Sequence, residues 1–336
     1  MTGGSGFLGQ GIVTRLRSQG VTVRSLARGE SPQLKSQGVE CLRGDIADPD
    51  AVLRAAEGCD FIYHVAAKAG VWGPYYEYHQ ANVVGTQNVL AACRKLQIPN
   101  LVYTSSPSVV FDGSDESGVN ESAPYPQKYL AWYPQTKAQA EQIVLAANGE
   151  KLTSGQMLAT VALRPHLIWG PGDNHLFPRL IQRARSGRLR RVGSARNLVD
   201  SVYIDNAVDA HLLAADRLSP ESPIAGKAYF ITNGEPVPIW NLIDRMLACG
   251  GVPPLQKSIS STAAYILGSA LESIYRLTGR KDEPPMTRFV ARQLSTSHWF
   301  DISAARRDLG YEPKVTIEEG LQRLAEWSVE NPDRHS

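Results

Sequence analysis

The chain has 336 residues, of which 43% are hydrophobic and 20% charged, and its 35 basic and 33 acidic residues give a formal net charge of +2. A chain of this length can bury a full hydrophobic core. Its charged residues are dispersed, which excludes the basic patch of a nucleic-acid-binding protein. The sequence shows neither a basic-then-apolar leader nor an apolar run near the ~20 residues of a membrane span. Four widely separated cysteines (Cys41, Cys59, Cys93, Cys249) predict no metal site and no disulfide framework, and they fit a cytoplasmic protein.

Helical segments alternate with short apolar runs from residue 6 to about 170, a pattern typical of a parallel sheet covered by helices. The candidate strands are 21–27, 39–45, 59–66, 100–106 and 159–170, and the helices include 79–96 and 134–148. After residue 170 the chain is broken into short segments by Gly and Pro clusters. The sequence predicts an α/β fold: a Rossmann-type doubly wound parallel sheet over 1–170, to which later segments return, and a smaller, mostly substrate-binding lobe over 171–336.

The chain opens with the glycine loop MTGGSGFLGQG. Gly4, Gly6 and Gly9 match G-x-G-x-x-G, and Gly3 extends the pattern. Backbone without side chains can approach a pyrophosphate closely, and the helix that starts near Phe7 offers it free N–H groups. Tight turns alone also use glycines, but the alternating pattern that follows favours dinucleotide binding. The residues expected to contact the cofactor here are Gly3, Ser5, Gly6, Phe7, Leu8 and Gly9.

Only Met1 and Thr2 precede this loop, where dinucleotide-binding folds place a buried strand of about 5 residues. We therefore expect the first strand to be missing from the given chain and the true start to lie upstream. Met1 would then stand at a Val position whose GTG codon was read as an initiator. A truncated, poorly folded product is the alternative.

The residues after the next two predicted strands bear on the choice of cofactor. Arg28 stands near the place where an NAD-binding protein carries an acidic residue, and a guanidinium suits the 2′-phosphate of NADP. We favour NADP(H); in the alternative, Arg28 is solvated and Glu30 holds the ribose of NAD(H). Asp45 and Ile46 are placed to meet the adenine, unless Asp45 is instead the N-cap of the following helix.

A candidate catalytic constellation follows in the same order along the chain. YTSS ends a strand at Ser106, and YPQTK supplies Tyr133 and Lys137. Positions i and i+4 share one face of a helix, so we expect the ammonium to lie beside the phenol and to lower its pKa from about 10. Ser106 would orient the substrate oxygen. Tyr-x-x-x-Lys alone is often a surface pair, but the three features together are more specific.

These motifs resemble the extended short-chain dehydrogenase/reductases, specifically their 3β-hydroxysteroid dehydrogenase-like branch. The resemblance runs nearly end to end, through TGGSGFLG, GDI, HVAA, NVVGT, YTSS, YPQTKAQAE, LRPHLIWGPGD, VYIDN and HWFDISAARRDLGYEP. Within that branch, HVAAKAGVWG and LRPHLIWGPGD are most similar to bacterial 2-alkyl-3-oxoalkanoate reductases, which use NADPH.

The resemblance implies roles for further residues. It implies Ser106, Tyr133 and Lys137 as the catalytic triad, with Lys137 also bonding the nicotinamide ribose. The other cofactor neighbours that it implies are Asn82, Ala66, Ala67 and Thr104, and the backbone of Pro165, His166 and Leu167 around the carboxamide. We expect the His166 side chain itself to be packed rather than to transfer protons.

The expected function is hydride transfer between nicotinamide C4 and a ketone or secondary alcohol of a bulky apolar small molecule. The substrate is a 2-alkyl-3-oxoalkanoate or, within the same branch, a 3β-hydroxysteroid or sterol. A nucleotide-sugar epimerase or dehydratase shares the triad and is the alternative, and a non-catalytic NADP(H)-sensing protein is a third class. We expect a homodimer.

Three later features bear on the substrate. Trp72, Tyr75, Tyr76 and Tyr78 are expected to line the substrate cleft or its lid. A helix over 262–281 has one apolar face followed by basic residues; it either closes over the cleft or rests on a membrane surface. The basic run 183–193 either meets a carboxylate or phosphate of the substrate or is a solvated helix end.

Overall fold

The computed structural model describes residues 1–194 and 196–332. In its first half, short apolar strands alternate with helices, as the sequence predicts. The elements in chain order are α1 (Phe7–Ser18), β1 (Arg24–Ala27), α2 (Pro32–Ser36), β2 (Glu40–Arg43), α3 (Pro49–Ala56), β3 (Phe61–His64), α4 (Tyr75–Tyr78), a π-helical segment (His79–Val84), α5 (Gly85–Leu96), β4 (Asn100–Thr104), a 3₁₀ turn (Pro107–Val109), β5 (Glu116–Val119), α6 (Trp132–Ala146) and β6 (Ala159–Pro165).

The second half contains shorter strands and more irregular connections. Its elements are β7 (Ile168–Trp169), α7 (Leu176–Arg185), β8 (Arg191–Val192), β9 (Leu198–Val199), β10 (Val202–Tyr203), α8 (Ile204–Arg217), β11 (Lys227–Ile231), β12 (Val237–Pro238), α9 (Ile239–Cys249), β13 (Ser258–Ile259), α10 (Ser261–Leu277), α11 (Arg288–Ser295), β14 (His298–Phe300), a second π-helical segment (Ala305–Leu309) and α12 (Ile317–Glu330). None of the helices within the described ranges has the length and apolar content needed to cross a bilayer.

The main sheet is parallel throughout and has the order β2–β1–Thr2–β3–β4–β6–β11. Thr2 bridges Leu26 of β1 on one side and His64 of β3 on the other. The two residues before the glycine loop therefore hold an interior position of the sheet by backbone pairing, and the Thr2 side chain adds hydrogen bonds with His64 and Ala66. The expectation about upstream residues stays a prediction.

All five predicted strands are present, and the doubly wound sheet is confirmed. The fifth, predicted over 159–170, ends at Pro165 and resumes as β7, because Leu167 takes a left-handed conformation with φ of +44°. The helix predicted over 79–96 is continuous with α4 but begins with a π-helical turn, a distortion often found at functional sites.

The second half forms a smaller lobe and also returns to the main sheet. A mixed sheet of order β12–β9–β14–β5 and the pairs β7–β10 and β8–β13 build the lobe. α8 returns to pack on α1, where Val208 lies so close to Gly11 that an added Cβ would be 2.6 Å from its side chain. β11 returns to pair with β6 at the sheet edge. One hydrophobic core therefore runs through both halves.

Candidate active site

Most of the predicted site residues converge on the carboxyl edge of the main sheet. The glycine loop follows Thr2, Ala66 follows β3, Thr104 ends β4 and Pro165 ends β6. The strand order reverses between Thr2 and β3, and ligands of doubly wound sheets bind at such a switch point. The fold alone therefore selects this edge as the candidate site.

The glycine loop is tightly folded against its neighbours and leaves the start of α1 open. Gly3 has a φ of +71°, and a Cβ there would lie 2.7 Å from the backbone nitrogen of Ala66. A Cβ on Gly9 would lie 2.1 Å from the Gly3 oxygen, whereas one on Gly6 would meet no atom closer than 3.3 Å. The N-cap residue of α1, Gly6, gives no side-chain cap. The free N–H groups and the open space at Gly6 fit a pyrophosphate.

Two arginines stand at the ends of β1 and β2, on the strand side next to Thr2, and the sequence reasoning did not single out one of them. Arg28 follows β1 directly and is exposed, and its backbone oxygen accepts a 3.2 Å hydrogen bond from Nε of Arg43, at the end of the neighbouring β2. The signal for Arg43 was its place before GDI, at the end of a predicted strand. Glu30 is exposed two residues after Arg28. Arg28, the candidate for binding NADP(H), and Glu30, the candidate for binding NAD(H), therefore both lie exposed after β1.

The alternative role proposed for Asp45, capping the next helix, is wrong. The N-cap of α3 is Asp48, whose carboxylate accepts from the Asp50 nitrogen at 3.0 Å. Asp45 is exposed and accepts from the Ala47 nitrogen within its own turn. Ile46 is buried against α5, where a Cβ added to Gly85 would lie 2.7 Å from its side chain. Asp45 thus remains available for a ligand.

The three predicted catalytic side chains lie at the ends of β4 and α6. Ser106 begins the 3₁₀ turn, and its hydroxyl is 2.9 Å from that of Ser108. Tyr133 and Lys137 lie in the first turns of α6, with Pro134 accommodated near the helix start. The Ser106 hydroxyl lies near enough to the phenol of Tyr133 to favour its ionised form. The end of β4 and the start of α6 therefore bring these two side chains close to each other.

The electrostatics of the pair differ from the expectation that Lys137 lowers the pKa of Tyr133. Burial raises the pKa of Tyr133 above its ordinary value, and the nearby Ser106 hydroxyl opposes this only in part. Burial also lowers the pKa of Lys137 to about 7. Its Nζ donates to the Thr104 oxygen at 2.6 Å and lies 4.2 Å above the ring of Tyr103. Without a full charge on Lys137 at neutral pH, the phenol stays protonated.

Asn82, implied as a cofactor neighbour, uses its side chain inside the protein. Its Nδ2 donates to the Thr136 hydroxyl at 2.9 Å and to the Lys68 oxygen at 3.1 Å. Its Oδ1 accepts from the Lys68 nitrogen at 2.7 Å. Both amide hydrogens are thus taken, so this side chain ties α6 to the loop after β3.

A buried histidine connects the same segments and was missed by the sequence reasoning. The two ring nitrogens of His64 lie 2.7 Å from the hydroxyl of Thr2 and 2.9 Å from that of Thr86. Thr86 in turn donates to the Asn82 oxygen at 2.6 Å. Burial lowers the pKa of His64 to about 3, so the ring stays neutral. The sequence signal for this bridge was the His of the HVAA motif.

A buried ion pair fixes α6 on the sheet. Arg164 of β6 forms two hydrogen bonds with Glu141, at 2.6 and 2.9 Å, and both side chains are almost wholly inaccessible. Glu141 also accepts from the hydroxyl of Tyr125 at 2.7 Å. Glu141 lies one turn after Lys137, and this spacing was the only sequence signal for it.

The backbone of Pro165, His166 and Leu167 lies at the same edge. The His166 side chain is packed, as expected: its Nδ1 lies 2.7 Å from Asp200, whose other oxygen accepts from the Phe300 nitrogen. Leu167 has a positive φ, a strained conformation for a residue with a side chain. Such strain concentrates where a chain is shaped for a ligand.

A cavity of about 680 Å³ borders the start of α6. Its walls come from the loop after β3, the segment before Tyr133 and the end of α10. The lining residues are Lys68, Val71, Trp72, Gly73, Pro74, Glu77, Tyr129, Leu130, Ala131, Trp132, Glu272, Tyr275, Arg276, Gly279, Arg280, Lys281 and Arg288. The aromatic and aliphatic wall suits an apolar ligand, and cations outnumber carboxylates around it.

The aromatic cluster predicted to line the cleft does so only in part. Trp72 lines the cavity and packs edge-on to Tyr275. Tyr78 is buried behind it and donates to the Trp72 oxygen, whereas Tyr75 contacts Trp132 outside the cavity wall. Tyr76 is exposed. In a short helix, neighbouring side chains point to different sides.

No residue of the basic run 183–193 lines the cavity, and the run passes from the end of α7 into β8. Arg183 pairs with Glu283 and Arg191 with Asp244. The cations that line the cavity come instead from the loop after β3 and from α10 and its flanks. Within the described ranges, no cluster of side chains could hold a metal ion.

Comparisons with known proteins agree with this geometry. A model of the 3-beta hydroxysteroid dehydrogenase/isomerase family matches residues 1–259. A Stenotrophomonas maltophilia protein named 2-alkyl-3-oxoalkanoate reductase is 52% identical over 327 residues, which are 96% of this chain and 97% of that protein. The Mus musculus protein named sterol-4-alpha-carboxylate 3-dehydrogenase, decarboxylating, is 33% identical over 330 residues, covering 96% of this chain and 89% of that one.

Solved structures agree as well. The structure of MoeE5 in complex with UDP-glucose and NAD superposes with a TM-score of 0.74 at 25% identity, covering 99% of this chain and 98% of that one. The family match and the relatives together span nearly the whole chain. The chain therefore belongs to the 3-beta hydroxysteroid dehydrogenase/isomerase family of extended short-chain dehydrogenase/reductases and is a nicotinamide-dependent oxidoreductase.

Proposed function

We propose that this protein is an NADP(H)-dependent reductase that converts a 2-alkyl-3-oxoalkanoate to the 2-alkyl-3-hydroxyalkanoate. The observation that carries the proposal is the placement of Ser106, Tyr133 and Lys137 at the end of β4 and the start of α6, beside a large, mainly apolar cavity. The substrate class follows the name of the relative that is 52% identical.

Each of the three side chains has a role that its environment supports. A bound nicotinamide supplies the hydride. Ser106 donates a hydrogen bond to the substrate oxygen and holds it beside Tyr133. Tyr133, whose pKa burial raises, keeps its proton at neutral pH and gives it to that oxygen as the alcohol forms. Lys137 holds the Thr104 backbone and adds positive charge when protonated.

The names of two relatives share one chemical unit. In a 2-alkyl-3-oxoalkanoate and in a sterol-4-alpha-carboxylate oxidised at C3, a carboxylate is attached to the carbon next to the reacting one. We therefore favour a β-oxo or β-hydroxy acid over a plain 3β-hydroxysteroid, which lacks the carboxylate. The excess of cations around the cavity supports an acid as the substrate.

The preference for NADP(H) over NAD(H) rests on Arg28 and Arg43. These residues stand at the ends of the adjacent strands β1 and β2, and a planar guanidinium pairs well with a phosphate. The rest of the predicted cofactor contacts, including Asp45, Ala67 and the Pro165–Leu167 backbone, belong to the same proposal.

The first experiment follows reduction of NADP⁺ by a long-chain 2-alkyl-3-hydroxy acid and, separately, by a 3β-hydroxysteroid. The hydroxy acid is used because the matching 3-oxo acid decarboxylates. We expect turnover of the acid that falls about 1,000-fold in Tyr133→Phe, since the phenol is the proton-transfer group. Tyr76→Phe is the control and keeps its activity, because Tyr76 is exposed and is not among the residues that line the cavity.

The other outcomes decide between the alternatives. Turnover of the steroid alone would move the protein to the sterol side of the family. No turnover of either substrate, with NAD retained through purification, would replace the reductase by an epimerase. Turnover that survives in Tyr133→Phe would remove Tyr133 from the mechanism.

Two further expectations belong to this proposal. We expect a homodimer, which light scattering would report as twice the 36.7 kDa of one chain. We also expect a cytoplasmic location, in which residues 262–281 give the protein peripheral contact with a membrane; that contact depends on how α10 packs.

A further inference from the structure

α10 packs with its polar and small side chains inward. The residues that it buries are Ala264, Gly268, Glu272 and Tyr275. Gly268 lies so close to α11 that an added Cβ would be 2.6 Å from the backbone of Thr287. The Glu272 carboxylate accepts from the Arg288 nitrogen at 2.7 Å and from its side chain at 3.0 Å. This explains the acidic residue that interrupts the apolar pattern of the helix: it faces α11.

The apolar face of α10 consequently points to solvent. Ile266 is 62% exposed, Leu267 44%, Ile274 51% and Leu277 88%. Their spacing over positions 266–277 puts them on one side of the helix. Single exposed apolar side chains are ordinary, but four large ones on one helical face form a patch of the kind that contacts a partner or a membrane. The helix thus borders the cleft, as one of the two expectations has it, but through Tyr275 and Arg276 and not through its apolar face.

Positive charge surrounds the end of this face. Arg276 and Arg288 contact Glu272, and Arg280 pairs with Asp282. Lys281 has no carboxylate within ion-pair distance among the described residues. Nearby Glu283 is shared by Arg179 and Arg183. The charged groups at this end of the patch therefore sum to an excess of cations, which complements an anionic surface.

The same end of the helix opens onto the cavity. Tyr275, Arg276 and Lys281 line the cavity, while Ile274 and Leu277, next to them in sequence, face solvent. An apolar acid that left a lipid layer at this point would meet the cavity wall directly.

We propose that the exposed face of α10 docks on an anionic lipid surface, with its apolar side chains among the acyl chains and the flanking cations at the headgroups. The helix lies in the plane of the interface and does not cross the bilayer. The docking itself is independent of the proposed reaction; only the delivery of an apolar acid to the cavity rests on that function.

The test measures co-sedimentation of the full-length protein with two kinds of vesicle, one of phosphatidylcholine and one of phosphatidylcholine mixed with phosphatidylglycerol. We expect binding to the mixed vesicles that weakens as salt is raised. The variant Ile274→Glu with Leu277→Glu should bind at least about tenfold more weakly, because two apolar contacts are replaced by like charges. Val329→Glu, on the equally exposed Val329 of α12, is the matched control and binds as the wild type does.

Three results would overturn the proposal. They are absence of binding to the mixed vesicles, equal binding by the double variant, and a lipid-free dimer that the double variant converts to a monomer, which would make the face an interface between copies. Turnover of a short, water-soluble 3-hydroxy acid distinguishes failure of the lipid-docking proposal from failure of the proposed reductase activity. The double variant should retain that turnover, whereas Tyr133→Phe should lose it.

Discussion

Two helices that border the cavity, α6 and α10, depart from the usual distribution of polar and apolar side chains in opposite directions. α6 buries Lys137 and Glu141, whereas α10 exposes Ile274 and Leu277. The buried charges of α6 have partners within the chain, namely Arg164 and the Thr104 oxygen. The apolar face of α10 has no partner in the described part of the chain. The buried charged groups of α6 are thus paired within the chain, whereas the exposed apolar face of α10 is left for contact with a surface outside the chain.

The largest effect on stability is expected where α6 is fixed to the sheet. Glu141→Gln leaves the Arg164 guanidinium buried without its charge partner, and this should lower the free energy of unfolding by about 3 to 5 kcal/mol. Urea denaturation measures the change. The control is Glu150→Gln in the half-exposed pair with Arg94, which should cost at most about 1 kcal/mol. Equal effects of the two substitutions would show that burial of the α6 pair is not what stabilises it.

The second prediction concerns the cost of burying Lys137. Burial lowers its pKa from 10.5 to about 7, so between these values the unfolded chain binds a proton that the folded chain has released. The free energy of unfolding should therefore rise with pH across this window by up to about 1.4 kcal/mol per pH unit. Lys137→Met removes the buried amine. It should be more stable than the wild type at pH 7, by a difference that closes towards pH 10.

Denaturation of both proteins at several pH values from 7 to 10 measures this difference. The control is Lys128→Met, since Lys128 is exposed and should leave the pH dependence unchanged. A parallel pH dependence in the wild type and in Lys137→Met would contradict the prediction. A loss of turnover in the more stable variant is expected, because active-site groups are commonly kept at the expense of stability.

The third prediction tests Arg28, at the end of β1, where the chain exposes a charged group to solvent. The exposed face of α10, in contrast, is apolar. Arg28→Ala should weaken binding of NADPH by about tenfold to a hundredfold, since a charged hydrogen bond to phosphate contributes about 1.5 to 3 kcal/mol. Binding of NADH should not change. Titration of the nicotinamide fluorescence measures both, with Arg54→Ala on the outer face of α3 as the control. An equal loss for both cofactors would remove Arg28 from cofactor selection.

The sequence predicted the parts of the site that depend on local spacing. The glycine loop, the strand ends and the pair Tyr133 and Lys137 are each contained within a few residues, so periodicity and motif spacing suffice to find them. The strands β3, β4 and β6 are mostly buried and mostly apolar, which makes them easy to find. The edge strand β2 is exposed at both ends and was found from its place between helical segments.

The remaining features depend on contacts between distant parts of the chain. The bridge from Thr2 to His64 joins residues 62 apart, and Arg164 meets Glu141 across 23 residues. The pKa of Tyr133 depends on how deeply the finished fold buries it, which spacing alone does not give. For α10, periodicity defined an apolar face, but only the packing of Gly268 against α11 determined that this face points outward.

The smallest effect is expected at the exposed end of α10. Leu277→Gln, measured by urea denaturation without lipid, should change the free energy of unfolding by less than about 0.5 kcal/mol, because the side chain is 88% exposed and touches little of the fold. Leu101→Ala, at a fully buried position of β4, is the contrast and should cost about 2 to 5 kcal/mol. A loss above about 1 kcal/mol for Leu277→Gln would mean that the side chain is covered in solution by another copy of the chain. A near-zero value would mean that folding does not require this leucine, and that its apolar character serves contact with something outside the chain.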